Sequence, residues 1–262
     1  MVTTGQLTRT AGWPIGPVTM LRIAVVLTIL AVWEALSHSG WFYRDVIPSL
    51  WSITTALYTL LTQRGFYFDL SVTAAEICGA VAIGGGSGLV VGLLLGGNRF
   101  LAQAYESYLY YLGPTPKIIF FPVMIMWFGV GPGSKVALGA LSCFFPVALS
   151  VAAGMRRIDN VLIRVGKSFR ARPWQMVVKI YLPAMRRPVV NGVRLGFGVA
   201  LIGTLLAETK LSNMGVGFRI INAYSTFDIP RMYAMLIVLF VLAIGVNALI
   251  SRLGGLDEVK SG

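Results

Sequence analysis

The sequence is poor in charge, in histidine and in cysteine. Only 12% of its 262 residues are charged, against about 25% in a typical soluble domain. His38 is the only histidine, which excludes multi-histidine metal sites and most histidine-based catalysis. Cys78 and Cys143 both lie in apolar segments and are predicted to be small buried residues rather than a disulfide or a metal site. No two acidic residues share a predicted helix face at catalytic spacing, so we expect neither enzyme chemistry nor a metal site.

Apolar residues and positive charge are abundant instead. Hydrophobic residues make up 56% of the chain, which is typical of a protein that crosses a membrane several times. The net charge is +12. On a soluble protein this charge would suggest a nucleic-acid partner. Here the polar surface is too small for a nucleic-acid module, and the positive-inside rule explains the excess of Lys and Arg.

Apolar runs predict six membrane spans in an all-α fold. The predicted spans are residues 20–36, 77–97, 118–130, 136–153, 189–206 and 232–250. The run 118–130 is the shortest, with thirteen residues, and is compatible with a core helix or a re-entrant piece. Residues 114–117 can extend it to a full span. We treat 1–262 as a single transmembrane domain.

Loop charges predict the topology. The stretch 156–194 contains ten basic residues and only one acidic residue, Asp159. We therefore expect the loop 155–188 to be cytoplasmic. Counting spans in both directions then puts the N-terminal segment 1–19 and the C-terminus in the cytoplasm as well. The segment between the first two spans is external and contains an amphipathic helix after Pro48.

Small residues and prolines mark the predicted spans. Gly84, Gly88, Gly92 and Gly96 recur every four residues and form one smooth helix stripe that another backbone can approach closely. We interpret this stripe as helix packing, with sliding between helices as the functional alternative. Pro122 and Pro146 lie inside the third and fourth spans, where each permits a kink.

Acidic and aromatic residues of the spans are candidates for a substrate pathway. Glu34, Glu76 and Glu208 are predicted to lie near the outer ends of their spans, and charged residues inside a membrane often mark a pathway. In the third span, aromatic and methionine side chains would line an apolar path or serve as ordinary packing. These residues are Phe120, Phe121, Met124 and Met126.

The segment 162–183 is too polar to span a membrane. Its pattern predicts two short amphipathic helices broken around residues 170–173, with Pro173 in the first turn of the second helix. Such a pair beneath the bundle would dock a cytosolic protein or rest on anionic lipid. Gly166-Lys167-Ser168 has the tail of a phosphate-binding loop, but Val161 stands where its first glycine is required, so we expect no nucleotide site.

This segment is similar to the cytoplasmic loop of binding-protein-dependent ABC importer permeases. That loop has a Glu-Ala-Ala sequence, a glycine four residues later and an Ile-x-Leu-Pro ending, which Ile180, Leu182 and Pro183 match. Other residues resemble the nitrate, sulfonate and taurine branch of the family. They are Ser168, Phe169, Ala171, Trp174, Gln175, the run 191–196, Pro114, Pro116, Pro122 and the run 128–136. Together these features cover nearly the whole chain in the family's order.

The resemblance implies a type I ABC importer permease of six transmembrane helices in the bacterial-type inner membrane. It implies an identical or related second permease subunit, two ATPase subunits and an external solute-binding protein. ATP and Mg would bind the ATPase, and this chain would need no cofactor of its own. The substrate would be a sulfonate, nitrate, another small organic anion or a vitamin precursor. The ATPase would contact Arg164, Val165, Gly166, Lys167, Ser168, Phe169, Arg170, Ala171, Arg172, Pro173, Trp174, Leu182 and Pro183.

Two positions depart from the family pattern. Arg164 stands where the family has its acid, and Arg170 stands where it has the glycine of the turn. Either the ATPase groove carries a compensating acid, or this subunit is a degenerate half paired with a more typical permease.

A different class of function also fits the composition. An ATP-independent carrier or a membrane scaffold would be equally apolar. A carrier would be expected to place ionisable residues or broken helices near the middle of the bilayer, whereas the acids here are predicted at span ends.

Overall fold

A computed structural model describes residues 17–41 and 46–255, and helices dominate both ranges. The all-α prediction is confirmed. Most of the predicted N-terminal segment 1–19 and the end of the C-terminus lie outside the described residues. The helices are α1 (Pro17–His38), α2 (Leu50–Thr62), α3 (Arg64–Gly97), α4 (Arg99–Leu112), α5 (Phe121–Phe128), α6 (Pro132–Met155), α7 (Asn160–Ser168), α8 (Pro173–Met176), α9 (Leu182–Ala184), α10 (Arg186–Lys210), α11 (Val216–Ser225) and α12 (Ile229–Leu253).

Five of these helices are long and apolar enough to cross a membrane: α1, α3, α6, α10 and α12. The third predicted span, 118–130, is not one straight helix. It is a broken pair, α4 followed by Lys117–Phe128, bent by 93° at the break. The break follows from Gly113, Pro114 and Pro116, since each proline removes a backbone donor and restricts the residue before it.

The glycine stripe of α3 lies against α6. A side chain at Gly84 would meet the backbone of Ala140, and one at Gly96 would meet Ala152 and Met155. Both residue numbers rise together, so α3 and α6 run parallel. The chain must therefore return to its starting side between them, which makes the broken pair α4–α5 one crossing rather than a re-entrant loop.

The other helices complete an alternating bundle. Gly192 lies against Ser150, whereas Gly203 lies against Ser142, so α10 runs antiparallel to α6. The Arg194 guanidinium donates to Asn247 Oδ1 at 2.8 Å, and Arg186 donates to the Leu253 carbonyl at 2.7 Å. These contacts make α12 antiparallel to α10.

Helix α1 contacts the other helices near its own C-terminal end. Trp33 packs edge-on against Tyr233 at 5.4 Å between ring centroids and donates to the Pro48 carbonyl. The Glu34 carboxylate accepts from the N–H of Leu50, so this predicted pathway acid caps the beginning of α2. The predicted external helix is α2, which buries Ile53 and Leu60.

Three sequence expectations need correction. Cys143 is buried as predicted, whereas Cys78 of α3 is exposed. Helix α3 begins at Arg64, well before the predicted span 77–97. The apolar pattern did not predict these first turns because they include charged residues such as Asp69, whose partner, the Gly215 N–H, comes from a distant part of the chain. Pro122 lies in the first turn of α5, where it interrupts no helical hydrogen bond, so it is not an interior kink site. Pro146 does lie inside α6.

Candidate functional site

A pair of short helical pieces closes one end of the bundle. Asp159 Oδ1 accepts from the Val161 N–H at 2.8 Å and so caps α7. After a turn, Pro173 begins α8 at its first position, and a π-helical stretch, Val177–Tyr181, continues into α9. The predicted two short helices are confirmed.

The two pieces pack on each other through Gly166. An added Cβ at Gly166 would lie 2.6 Å from Met176 Sδ, so only glycine leaves this space to the second piece. On the bundle side, Ile163, Tyr181 and Leu182 pack against the main apolar core. The pair is therefore a fixed part of the bundle rather than a free loop.

On the other face of the α7–α8 pair, large apolar side chains are exposed. Phe169 is 83% exposed and Trp174 is 58% exposed. Basic side chains surround them, all exposed: Arg164, Lys167, Arg170 and Arg172. An aromatic surface within a ring of positive charge is suited to contact a partner with apolar and acidic groups. We call Arg164 to Trp174 the aromatic-basic surface.

The turn between α7 and α8 contains a strained residue. Arg170 has φ = 52°, in the left-handed region that side-chain-bearing residues rarely adopt. It occupies the position at which the importer family has glycine. The N–H of Ala171 closes the turn by donating to the Gly166 carbonyl at 3.1 Å. The backbone thus keeps a glycine conformation although the residue is arginine.

Replacing Arg170 with glycine is expected to stabilise the protein. Removing the side chain relieves about 1–2 kcal/mol of left-handed strain, offset by roughly 0.5–1 kcal/mol from the greater freedom of glycine in the unfolded chain. The apparent melting temperature in detergent should rise by about 2 °C. The matched control is Arg172→Gly, which removes the same charge from extended backbone (φ −65°, ψ 153°) and should lower stability. Equal effects of both changes would show that charge, not backbone strain, decides the result.

An ion pair fastens the end of α6 next to this surface. The two terminal nitrogens of Arg156 donate to the two carboxylate oxygens of Glu106 in α4, at 2.5 and 2.6 Å. This hydrogen bonding raises the pKa of the Arg156 guanidinium above its ordinary value. The pair ties the first half of the broken crossing to α6.

A second candidate site is a buried polar cluster at the opposite end. Glu208 of α10 is fully buried and accepts from the Thr73 hydroxyl at 2.7 Å and from the Gly217 N–H at 2.6 Å. Glu76, which is 3% exposed, lies in the same cluster, and its Oε2 has no hydrogen-bond partner in the described part of the chain. Lys135 lies close enough to act electrostatically on both acids. Beside them, Asp69 pairs with Arg219 and accepts from the Gly215 N–H.

Glycines make room for this cluster. Gly215 has φ = 99°, and a side chain there would collide with the Glu208 carboxylate. A side chain at Gly217 would lie 2.8 Å from Glu208 Oε2. The Gly-Val-Gly sequence at 215–217 is thus the signal for a close carboxylate, which the sequence analysis missed.

The predicted pathway residues fall into three environments. Glu76 and Glu208 come together in the buried polar cluster, level with the beginning of α6 and the end of α10. Glu76 is nevertheless twelve residues inside α3, not at its beginning. Phe121 packs against Leu138 and Ala207 in a small core. The remaining three are half-buried or exposed: Phe120, Met124 and Met126.

A cavity of about 610 Å³ lies at the break in the third crossing, between α4, α6 and α10. Its walls are mostly apolar and include Phe145, Leu149 and Ile202. Lys117, the first residue after the break, also lines it. The predicted pathway residues do not include this lysine, although a lone cation directly before an apolar run indicates a functional position.

A family model and three relatives found by comparison with known proteins are all named as components of transport systems. A family model described as "Binding-protein-dependent transport system inner membrane component" matches residues 88–255. A Bacillus subtilis protein named as an aliphatic sulfonates transport permease is 28% identical over 223 residues, 85% of this chain and 81% of the relative. The taurine transport system permease protein of Escherichia coli is 26% identical over 250 residues, 92% of this chain and 91% of the relative.

A third relative is named for a different kind of molecule. The formylaminopyrimidine transport permease protein of Halalkalibacterium halodurans is 26% identical over 229 residues, covering 87% of this chain and 90% of the relative.

Proposed function

The chain belongs to the family of inner-membrane components of binding-protein-dependent transport systems, and we propose that it forms half of a pathway for a small organic anion. It is a multi-pass permease subunit of an ABC importer with the type I fold, and not an enzyme. The alternatives of an ATP-independent carrier and of a scaffold are set aside by this membership. Within the family, the relatives named for sulfonates and taurine support the anionic substrate.

The orientation follows from the distribution of charge. The end of the bundle that holds α7 to α9 carries the basic stretch 156–194, so this end faces the cytoplasm. The alternating helix directions then support a cytoplasmic position for the beginning of α1 and the end of α12, and an external position for the buried polar cluster. A solute-binding protein approaches from that external side.

The aromatic-basic surface docks the ATPase. The main support for this assignment is Phe169, which is 83% exposed. Burial of so exposed an aromatic side chain by a partner gives a large favourable free energy of binding. ATP and Mg²⁺ bind the ATPase rather than this chain. The surrounding arginines and lysine pair with acidic groups on the ATPase or with anionic lipid headgroups.

Replacing Phe169 with alanine is expected to weaken ATPase retention by about 10- to 100-fold, because burial of a phenylalanine contributes roughly 1.5–3 kcal/mol. The measurement is affinity of the purified permease for the ATPase of its own transport system, in mild detergent. Phe227→Ala is the matched control, since Phe227 is 79% exposed at the opposite end of the bundle. Unchanged affinity in the Phe169 variant would contradict the docking proposal.

Purification of a tagged copy of the chain in mild detergent, with identification of every protein that stays bound, tests the subunit composition. A second, different permease retained with the tagged chain identifies a heterodimer and favours the degenerate-half explanation of Arg164 and Arg170. Retention of untagged copies of this chain alone identifies a homodimer. A chain that purifies without any ATPase, under conditions that preserve other importers, argues against the proposed assembly.

A further inference from the structure

The cavity at the helix break lies about midway along the length of the bundle helices. Phe145 lies thirteen residues after the first residue of α6 and ten before the last, and the Lys117 ammonium is 4.9 Å from its ring centroid. On α10 the cavity walls are Val199, Ile202, Gly203 and Leu206, in the half that follows its centre. The cavity and its lysine are therefore close to the middle of the bilayer. Non-helical backbone at such depth is tolerated only where protein covers it or where it lines a cavity.

Lys117 has no acidic partner in the described part of the chain. The ion pairs found there join other residues: His38 with Glu34, Arg156 with Glu106 and Arg219 with Asp69. The Lys117 ammonium donates to the Gly113 carbonyl and faces the Phe145 ring. These contacts satisfy part of its hydrogen bonding and none of its charge. A half-buried cation at mid-membrane without a counter-ion is costly, and such residues mark substrate pathways.

None of the three buried acids in the described bundle pairs with this lysine. Asp69 pairs with Arg219, and Glu208 accepts from Thr73 and Gly217. Glu76 and Glu208 belong to the buried polar cluster, where the neighbouring cation is Lys135, whose ammonium donates to the Val130 and Gly131 carbonyls. Ser142 also lines the cavity, but its hydroxyl donates to the Leu138 carbonyl. The cavity therefore offers one cation, the phenol ring of Tyr110 and an otherwise apolar wall.

We propose that Lys117 binds the anionic head of a small organic anion whose apolar body fills the cavity at the helix break. The inference rests on the proposed function and names the recognition group within it. A volume of about 610 Å³ accommodates a headgroup with a short carbon chain. An alcohol or amine with the same carbon chain lacks the charge that Lys117 requires.

The experiment uses pentane-1-sulfonate as the probe and 1-pentanol as its uncharged counterpart. Binding of each is measured on the purified full-length permease with its ATPase in detergent. We expect the wild-type complex to bind the sulfonate and not the alcohol. Lys117→Met should weaken sulfonate binding by about 30-fold or more, because it removes the only charge that faces the ligand. Lys117→Arg should retain most of it. The matched control is Lys210→Met, an exposed lysine at the end of α10, which should bind as wild type does.

A second variant tests the cavity without altering the lysine. Ile202→Trp puts an indole into the cavity wall and should also abolish binding. The melting temperature of each variant identifies any that fails to fold. Sulfonate binding that persists in both Lys117→Met and Ile202→Trp overturns the proposal, as does a wild-type complex that binds neither probe or binds both equally.

Uptake by proteoliposomes that contain the complete transporter separates this site from the proposed function. Sulfonate uptake that is unchanged in Lys117→Met keeps the anion pathway and overturns the lysine site. Binding that depends on Lys117, with no sulfonate uptake by the wild-type transporter, keeps the site and overturns the anionic substrate of the pathway.

Discussion

Replacing Gly92 with valine is expected to lower the apparent melting temperature of the purified protein by roughly 10 °C, since overpacking costs about 1–3 kcal/mol and more where backbone blocks relaxation. A Cβ at position 92 would lie 2.6 Å from the Ala148 carbonyl oxygen and 2.6 Å from Val151 Cβ. Neither atom is the end of a flexible side chain, so α3 and α6 would have to separate. Because these two helices form the centre of the bundle, we also expect lower yield in the membrane fraction.

Gly86 provides the matched control on the same helix. A side chain there would meet nothing within 4 Å, because Gly86 faces away from α6. Gly86→Val should therefore change the melting temperature by no more than a degree or two, as an exposed glycine-to-valine change in a helix is nearly neutral. If both variants were equally destabilised, the close approach of α3 to α6 at Gly92 would not be the source of the effect.

The second large effect is expected at Glu208. Alanine at this position removes the acceptor of the Thr73 hydroxyl and of the Gly217 N–H, and both groups remain buried. Breaking a buried charged network from one side costs about 3–5 kcal/mol, so the melting temperature should again fall by roughly 10 °C. The external end of the bundle should loosen first, because α11 begins at this hydrogen bond.

Lys210→Ala serves as the comparison, since it removes an exposed charge two positions further along α10. It should leave the melting temperature unchanged within a degree. Hydrogen exchange at the backbone of α11 would show the local effect directly, with faster exchange in Glu208→Ala than in Lys210→Ala. Equal exchange rates would mean that the cluster contributes little to the order of this end.

The sequence predicts the membrane crossings because apolar length is a local property. The span predicted at 232–250 lies inside α12, and the span at 136–153 lies inside α6. The beginning of α3 was missed for the opposite reason. Asp69 reads as a polar loop residue until Arg219, 150 positions later, is known to pair with it.

The broken crossing shows a second limit of the sequence. Its first half, α4, has four tyrosines and several polar residues among its fourteen, so its mean hydropathy gives no span signal. The break itself was readable from Gly113, Pro114 and Pro116. That Lys117 faces an apolar cavity was not readable, since the cavity walls come from α6 and α10 and depend on how these helices approach.

For the aromatic-basic surface, the sequence predicted the two short helices but not the conformation between them. Arg170 breaks the family pattern, and from the sequence alone a different turn would have been expected. The structure keeps the left-handed turn with arginine in it, at φ = 52°. The backbone is therefore set by the packing of Gly166 on Met176, not by the residue at the turn.

The parallel contact of α3 with α6 also governs the order in which the bundle is assembled during synthesis. Gly84 and Ala140 are 56 positions apart, and the whole broken crossing is made between them. The glycine face of α3 thus enters the bilayer well before its partner leaves the ribosome. Until Met155 has been translated, the glycine face of α3 lacks the helix against which it packs in the folded protein.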